Sequence, residues 1–294
     1  MASDPIFGTG IIARLAFITV IIIAFYIVLR IGLIILGFVF KENTSPHLLD
    51  GMVDTDKYLV IPQDPTKKKS KAIYRSDNED KGTEFTWSVW LFIDKTQSET
   101  NIPYHIFNKG SKTTSTQGGL YCDTNAPGLY LNVEEQTGTF ENKHSFEVLI
   151  DTHGSNVIDG QAQGNKGTAN NSILIEDIPI GKWVNLLIRA EHKTIDIFIN
   201  GTLVRRTIFS DVIKQNYQDV YIATELTNSD NTLKTNGIEG GKISNLWYYD
   251  KAIGTQEILK IINNGPNLNT LGSTTLSVIP TYLSSGWYTS SILQ

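Results

Sequence analysis

A surface that recognises sugars needs flat aromatic rings flanked by hydrogen-bonding groups, and five tryptophans are available for one: Trp87, Trp90, Trp183, Trp247 and Trp287. Trp87 and Trp183 sit in apolar strand patterns and suit a core. Trp247, Tyr248 and Tyr249 are consecutive, so a strand there must put aromatics on both faces, with one exposed or covered by a helix. Trp287 stands with Tyr282 and Tyr288 in a polar tail, where it suits an interface or packing of the tail on the domain. Lys67, Lys68 and Lys69, followed by Lys71, are a run that could meet lipid headgroups or phosphates, or serve as a solvated linker. Asp123, Asp151, Asn156 and Asp159 lie in loop-like sequence and carry the oxygen ligands that suit Ca²⁺; the same residue types also cap backbone groups in turns.

Other chemistries lack their residues. The five histidines, at 47, 105, 144, 153 and 192, share no short metal-ligand spacing. The single cysteine, Cys122, has no histidine in its sequence context and reads as a buried thiol rather than a nucleophile. One cysteine is also too few for the paired-cysteine habit of large extracellular domains. No glycine loop is built to cradle phosphate. The chain carries a net charge of −5; residues 1–40 hold Arg14, Arg30 and Asp4, which leaves −6 for the remainder. That balance argues against general nucleic-acid binding. No cofactor is expected, apart from the Ca²⁺ alternative.

These residues need elements to hold them. Residues 85–93 (FTWSVWLFI) place Phe85, Trp87, Val89, Leu91 and Ile93 on one face and Trp90 and Phe92 on the other, as in a strand covered on both sides. Phe146, Val148 and Ile150 alternate with polar Glu147 and Asp151. Residues 183–190 put Val184, Leu186, Ile188 and Ala190 on one face, and Ile195, Ile197 and Ile199 repeat the pattern. Asn200-Gly201 follows, the dipeptide suited to a tight type I′ turn because both positions need positive φ. Residues 203–208 return as the partner strand, and 219–223 and 243–249 are further strands. This spacing of short strands predicts an all-β, two-sheet antiparallel sandwich. One short helix is expected at 255–264, with Thr255 as N-cap, an apolar stripe of Ile258, Leu259, Ile261 and Ile262, and Gly265-Pro266 as its stop.

Ahead of the sandwich, residues 11–40 contain two charges, Arg14 and Arg30, and no proline. A bilayer core takes about twenty apolar helical residues, and a secretory signal core is shorter. The run therefore predicts an uncleaved, single-pass transmembrane helix. Arg30 either meets a carboxylate or lipid phosphate, or snorkels to the interface. Sparse flanking charge leaves topology open. Sequons at Asn43, Asn170 and Asn200 are short patterns and do not place the domain. The organisation expected is a tail at 1–14, an anchor at 15–40, a Pro- and Lys-containing linker at 41–72 and a sandwich at 73–266. A tail at 267–294 is expected to pack on it.

Three segments carry a resemblance. GKWVNLLIRAEHKTIDIFINGTLVRR at 181–206 resembles the central hairpin of the concanavalin A-like lectin/glucanase superfamily, in its laminin-G-like branch. FTWSVWLFID at 85–94 resembles its first core strand, and GGKISNLWYYDKAIGTQEILKIINNGP at 240–266 its closing strand and short helix. The resemblance implies a jelly-roll sandwich. The glucanase branch uses paired carboxylates on one strand, of the type E-x-D-x-x-E, and that pattern is absent: Glu134 and Glu135 are adjacent and face opposite ways, and Asp196 has no acidic neighbour two residues away. YRSDNEDKGTEFTWSVWLFI, PYHIFNKG, PGLYLN, the NGTLVRR hairpin, KQNYQDVYIA and PTYLSSGWY further resemble lectin-fold proteins of large nucleocytoplasmic DNA viruses, of chlorovirus or mimivirus type. That resemblance implies a non-enzymatic minor capsid or virion membrane protein. It would be assembled in the host cytoplasm and would link the internal membrane to capsid proteins. The alternative is a membrane-tethered carbohydrate-binding module with glycan partners.

Overall fold

An apolar run with no polar face cannot pack as an ordinary surface helix, because it has no side to give to water. Helix α1 (Ile11–Val39) is such a run, and Ile11–Phe38 is long and apolar enough to cross a membrane. Arg30 is held within the helix: its Nε donates to the Tyr26 hydroxyl at 2.9 Å, and its guanidinium lies 5.5 Å from the centre of that ring. The computed structural model describes residues 10–40, 44–76, 78–79, 82–94, 97, 102–112, 121–135, 142–153, 171–224, 226–227, 234–235 and 237–271. The chain divides into two compact units, residues 1–43 and residues 44–294.

The second unit is built from strands β1 (His47–Asp54), β2 (Leu59–Ile61), β3 (Asn78–Glu79), β4 (Gly82–Ile93), β5 (Tyr104–Gly110), β6 (Asn125–Glu134), β7 (Lys143–Leu149) and β8 (Ser172–Ile175). These are followed by β9 (Trp183–Glu191), β10 (Thr194–Ile199), β11 (Thr202–Ile208), β12 (Val220–Ile222), β13 (Leu226–Thr227), β14 (Lys234–Thr235), β15 (Gly241–Tyr249) and helix α2 (Thr255–Asn264). One antiparallel sheet runs β1-β15-β4-β9-β10-β11, with β3 paired to β4; the other runs β2-β12-β5-β6-β7-β8. Strands β13 and β14 form a separate ribbon.

The alternating strands meet between the sheets as the pattern requires. Phe85, Trp87, Val89 and Leu91 of β4 and Leu186 and Ile188 of β9 face Ile106, Leu129, Phe146 and Val148 of the other sheet in one buried core. Trp87 ties the layers together: its ring lies 5.7 Å from Phe107 across the core and 5.3 Å, edge-on, from Tyr248. Each such side chain contributes about 1.5–3 kcal/mol on full burial. Trp183 departs from its expected core place. It is half-buried on the outer face, 5.5 Å from Phe92, because Val184 takes the inward position.

Residues 47–61 also depart from expectation. They are not linker: β1 pairs with β15 and β2 with β12, so both sheets have a strand from this stretch. The period-two pattern is hidden because β1 carries register irregularities between His47 and Leu49 and between Leu49 and Met52. The chain after α2 then runs along the outer edge of β1. The Met52 N–H donates to the Asn269 carbonyl at 2.7 Å, and the Leu271 N–H donates to the Met52 carbonyl at 2.9 Å. Gly51 is needed there: at φ 117° it leaves room for the Asn269 carbonyl, which a Cβ would meet at 2.8 Å.

Candidate functional site

Strand β15 decides where the aromatic run points. In a regular strand Ile243, Asn245, Trp247 and Tyr249 would share one face, and Ile243 is in the core. The pairing of β15 with β4 is irregular between Ser244 and Trp247, and Asn245 adopts φ 48°. This bulge adds one residue, so Leu246 and Tyr248 follow Ile243 inward while Trp247 and Tyr249 turn to the outer face. A bulge that redirects side chains is a recurrent device beside binding sites.

On that outer face the rings form a row. His47, the cross-strand neighbour of Trp247, stacks on it at 3.9 Å with the planes 8° apart. Tyr249 lies 5.9 Å from Trp247, nearly parallel at 17°. Burial lowers the His47 pKa below its ordinary value, against the pull of Asp50, so the stacked ring is neutral at pH 7. Burial, aided by the negative charge of Glu257, pushes Tyr249 up to about 12, so its hydroxyl keeps its proton.

Helix α2 supplies the opposite wall. Ile258 anchors it in a small outer cluster with Leu187, Phe198 and Ile253. The N-cap is Gly254 rather than Thr255, which is the first helical residue, and no side chain caps the helix. Leu259, expected in the apolar stripe, faces solvent, whereas Ile261 and Ile262 pack inward. Between α2 and β15 lies a groove of about 320 Å³, floored by Trp90, Trp247 and Tyr249. Glu257, Lys260, Asn264 and Asn245 line its rim. That volume is at the lower end of the ~300–1,000 Å³ typical of small-molecule sites. Lys251 pairs with Glu257 at 2.8 Å, and the Asn245 amide donates to the Gly265 carbonyl at 3.1 Å.

The other sequence candidates are scattered. Lys67, Lys68 and Lys69 sit in a turn following Asp64, and Lys67 Nζ lies 3.9 Å from Asp219. Asp151 is tied to structure: its carboxylate accepts from the Asn125 N–H at 2.9 Å. Asn156, Asp159, Tyr282, Trp287 and Tyr288 lie outside the described residues. Among the described residues no three His, Cys, Asp or Glu side chains converge to hold a metal. Asn200 and Gly201 take φ 49° and 82° between the paired Ile199 and Thr202, and Asn200 Oδ1 accepts from the Asn185 N–H at 2.9 Å. Burial pushes the Cys122 thiol up to about 12, so it stays protonated.

Two polar constellations escape sequence reading. Glu147, alternating with core residues on β7, is buried on the far face of its sheet rather than exposed. It accepts from the Tyr121 hydroxyl at 2.6 Å, the Asn132 amide at 2.5 Å and the Ser172 hydroxyl. Those donors come from separate segments, so no local motif announces them. Asp196 is likewise buried on β10, held by Arg189 at 2.6 Å and Arg206 at 2.6 Å. The two arginines hold its carboxyl below the ordinary value against the cost of burial. Each carboxylate thus accepts three hydrogen bonds from neighbouring side chains.

No family model matches this chain, and no curated protein does. Among solved structures, the receptor-binding domain of botulinum neurotoxin D aligns at 12% identity and a TM-score of 0.38, covering 76% of this chain and 44% of that one. The corresponding domain of the C/D mosaic serotype aligns at 13% identity and a TM-score of 0.37, covering 62% and 36%. The chain thus spans less than half the length of these structures. The chain itself is a two-sheet antiparallel sandwich preceded in sequence by an apolar helix able to span a membrane.

Proposed function

We propose that this chain is a non-enzymatic, membrane-anchored structural protein, and that its setting is the particle of a large nucleocytoplasmic DNA virus, where it links the internal membrane to capsid proteins. The observation that carries the anchored-scaffold reading is the apolar helix Ile11–Phe38 ahead of a sandwich whose conspicuous buried carboxylates, Glu147 and Asp196, are committed to structural hydrogen bonds. The protonated, buried Cys122 supports the same reading, since a nucleophile must be ionised and accessible. The viral setting, and the concanavalin A-like branch, rest on the sequence resemblance alone.

Protease protection in purified particles tests this reading, with fragments identified by mass spectrometry after stepwise removal of shell and membrane. A sandwich that becomes cleavable once the shell opens, while the membrane stays sealed, lies between the two. Cleavage on intact particles, or absence from them, removes the linking role. A membrane-tethered carbohydrate-binding module is the second reading, and the outward row of Trp247 and Tyr249 beside polar groups of α2 is the observation that favours it.

A further inference from the structure

The groove between β15 and α2 combines features that select a ligand class. Its floor is aromatic and only half-covered at Trp247 and Tyr249, which suits the flat C–H face of a pyranose ring. Its rim offers both donors and acceptors, as sugar hydroxyls require: the Asn264 amide, the Glu257 carboxylate and the protonated Tyr249 hydroxyl. The charges are unequal. Glu257 pairs with Lys251 at 2.8 Å and also lies in the field of Lys260, which itself makes no ion pair among the described residues. Two lysines, Lys251 and Lys260, against the one carboxylate of Glu257 leave this side of the groove with a net positive charge. That charge opposes a quaternary ammonium ligand, the other class that aromatic rings attract.

We infer that this groove is a binding site for an acidic pyranose, such as a uronic acid unit of a glycan. The ring stacks on the Trp247–Tyr249 row, and Lys260 meets the carboxylate. The Asn264 amide and Tyr249 hydroxyl serve the remaining oxygens. The inference deepens the second reading above and is independent of the particle setting, so protease protection and sugar binding succeed or fail separately.

The test uses the full chain in lipid nanodiscs free of glycolipid, with saturation-transfer NMR on three probes: methyl glucuronide, methyl glucoside and tetramethylammonium. The expected result is saturable binding of both sugars, with the glucuronide bound about fivefold more tightly, a difference of the size one exposed charge supplies. Lys260→Gln, an exposed change on α2, abolishes that preference and keeps glucoside binding. Trp247→Ala weakens both sugars about tenfold or more. Because loss of Trp247 also uncovers His47, Tyr249→Leu repeats the test at a second floor position, and circular dichroism melting confirms that each variant is folded. The inference is overturned if neither sugar binds saturably, if tetramethylammonium binds in preference, or if folded Trp247→Ala and Tyr249→Leu bind both sugars unchanged. Equal binding of the two sugars, or a preference that survives Lys260→Gln, overturns the role of Lys260 and the acidic specificity.

Discussion

At the scale of single residues, burial has set charge states that side-chain type alone does not reveal. Asp151 is the clearest case. Burial raises its pKa from 3.8 to about 6, against the hydrogen bond from the Asn125 N–H and the charge of Lys214. The sign follows from linkage: a carboxyl whose pKa is raised by folding binds its proton more tightly in the folded chain. Its contribution is fully present below about pH 4 and is lost as pH rises through about 6. His105 runs the other way. Burial lowers it from 6.5 to about 4, so its contribution is present above pH 6.5 and is lost as pH falls through about 4. Asp151→Asn removes the first effect and keeps an oxygen to accept from Asn125. Thermal melts should show this variant a few degrees more stable than the parent at pH 7, with the gap closing toward pH 4. A gap that is constant across that range would mean that Asp151 ionises normally.

At the scale of elements, legibility followed the regularity of the local pattern. Strands β4, β9 and β10 are readable because residues 85–93, 184–190 and 195–199 carry an apolar side chain at every second position without interruption, and α2 because Gly265-Pro266 stops an apolar stripe. Strand β1 is not, since its bulges break the alternation and Pro46 suggests linker. The site was legible in part: Trp247 was a candidate, but the bulge at Asn245 that turns it outward depends on pairing with β4, which single-sequence periodicity does not encode. Helix α2 shows the same limit in its own stripe. Ile258 is buried and Leu259 beside it is exposed, although the apolar stripe predicts both inward. Ile258→Ala should therefore cost about 2–4 kcal/mol, as for other large-to-small core changes, and loosen the wall of the groove. Leu259→Ala should change stability by less than about 0.5 kcal/mol, as surface substitutions do. Chemical denaturation of the two variants side by side checks this, and equal effects would mean that α2 is rotated from the orientation described.

At the scale of the whole molecule, the question is where the anchor ends and the sandwich begins. Sequence composition put that boundary near residue 73, after the prolines and lysines. Backbone hydrogen bonding puts it before His47, because β1 is an integral strand: it pairs with β15 on one side and accepts the 269–271 segment on the other. Its Leu48 and Leu49 are buried in the main core, and Ser45 continues the tie by donating from its hydroxyl to Asp250 at 2.8 Å. Losing β1 would strip two sets of backbone partners and expose both leucines, each worth about 1.5–3 kcal/mol of burial. The sum is a large part of the 5–15 kcal/mol that stabilises an ordinary domain. Two truncations separate the alternatives. A chain starting at Thr44 should be soluble without detergent and melt cooperatively. A chain starting at Thr55, which keeps everything the composition-based boundary assigned to the sandwich, should aggregate or melt at least ten degrees lower, about what a loss of several kcal/mol implies for a domain of this size. If both truncated chains melted alike, β1 would be an appendage and the linker would extend through it after all.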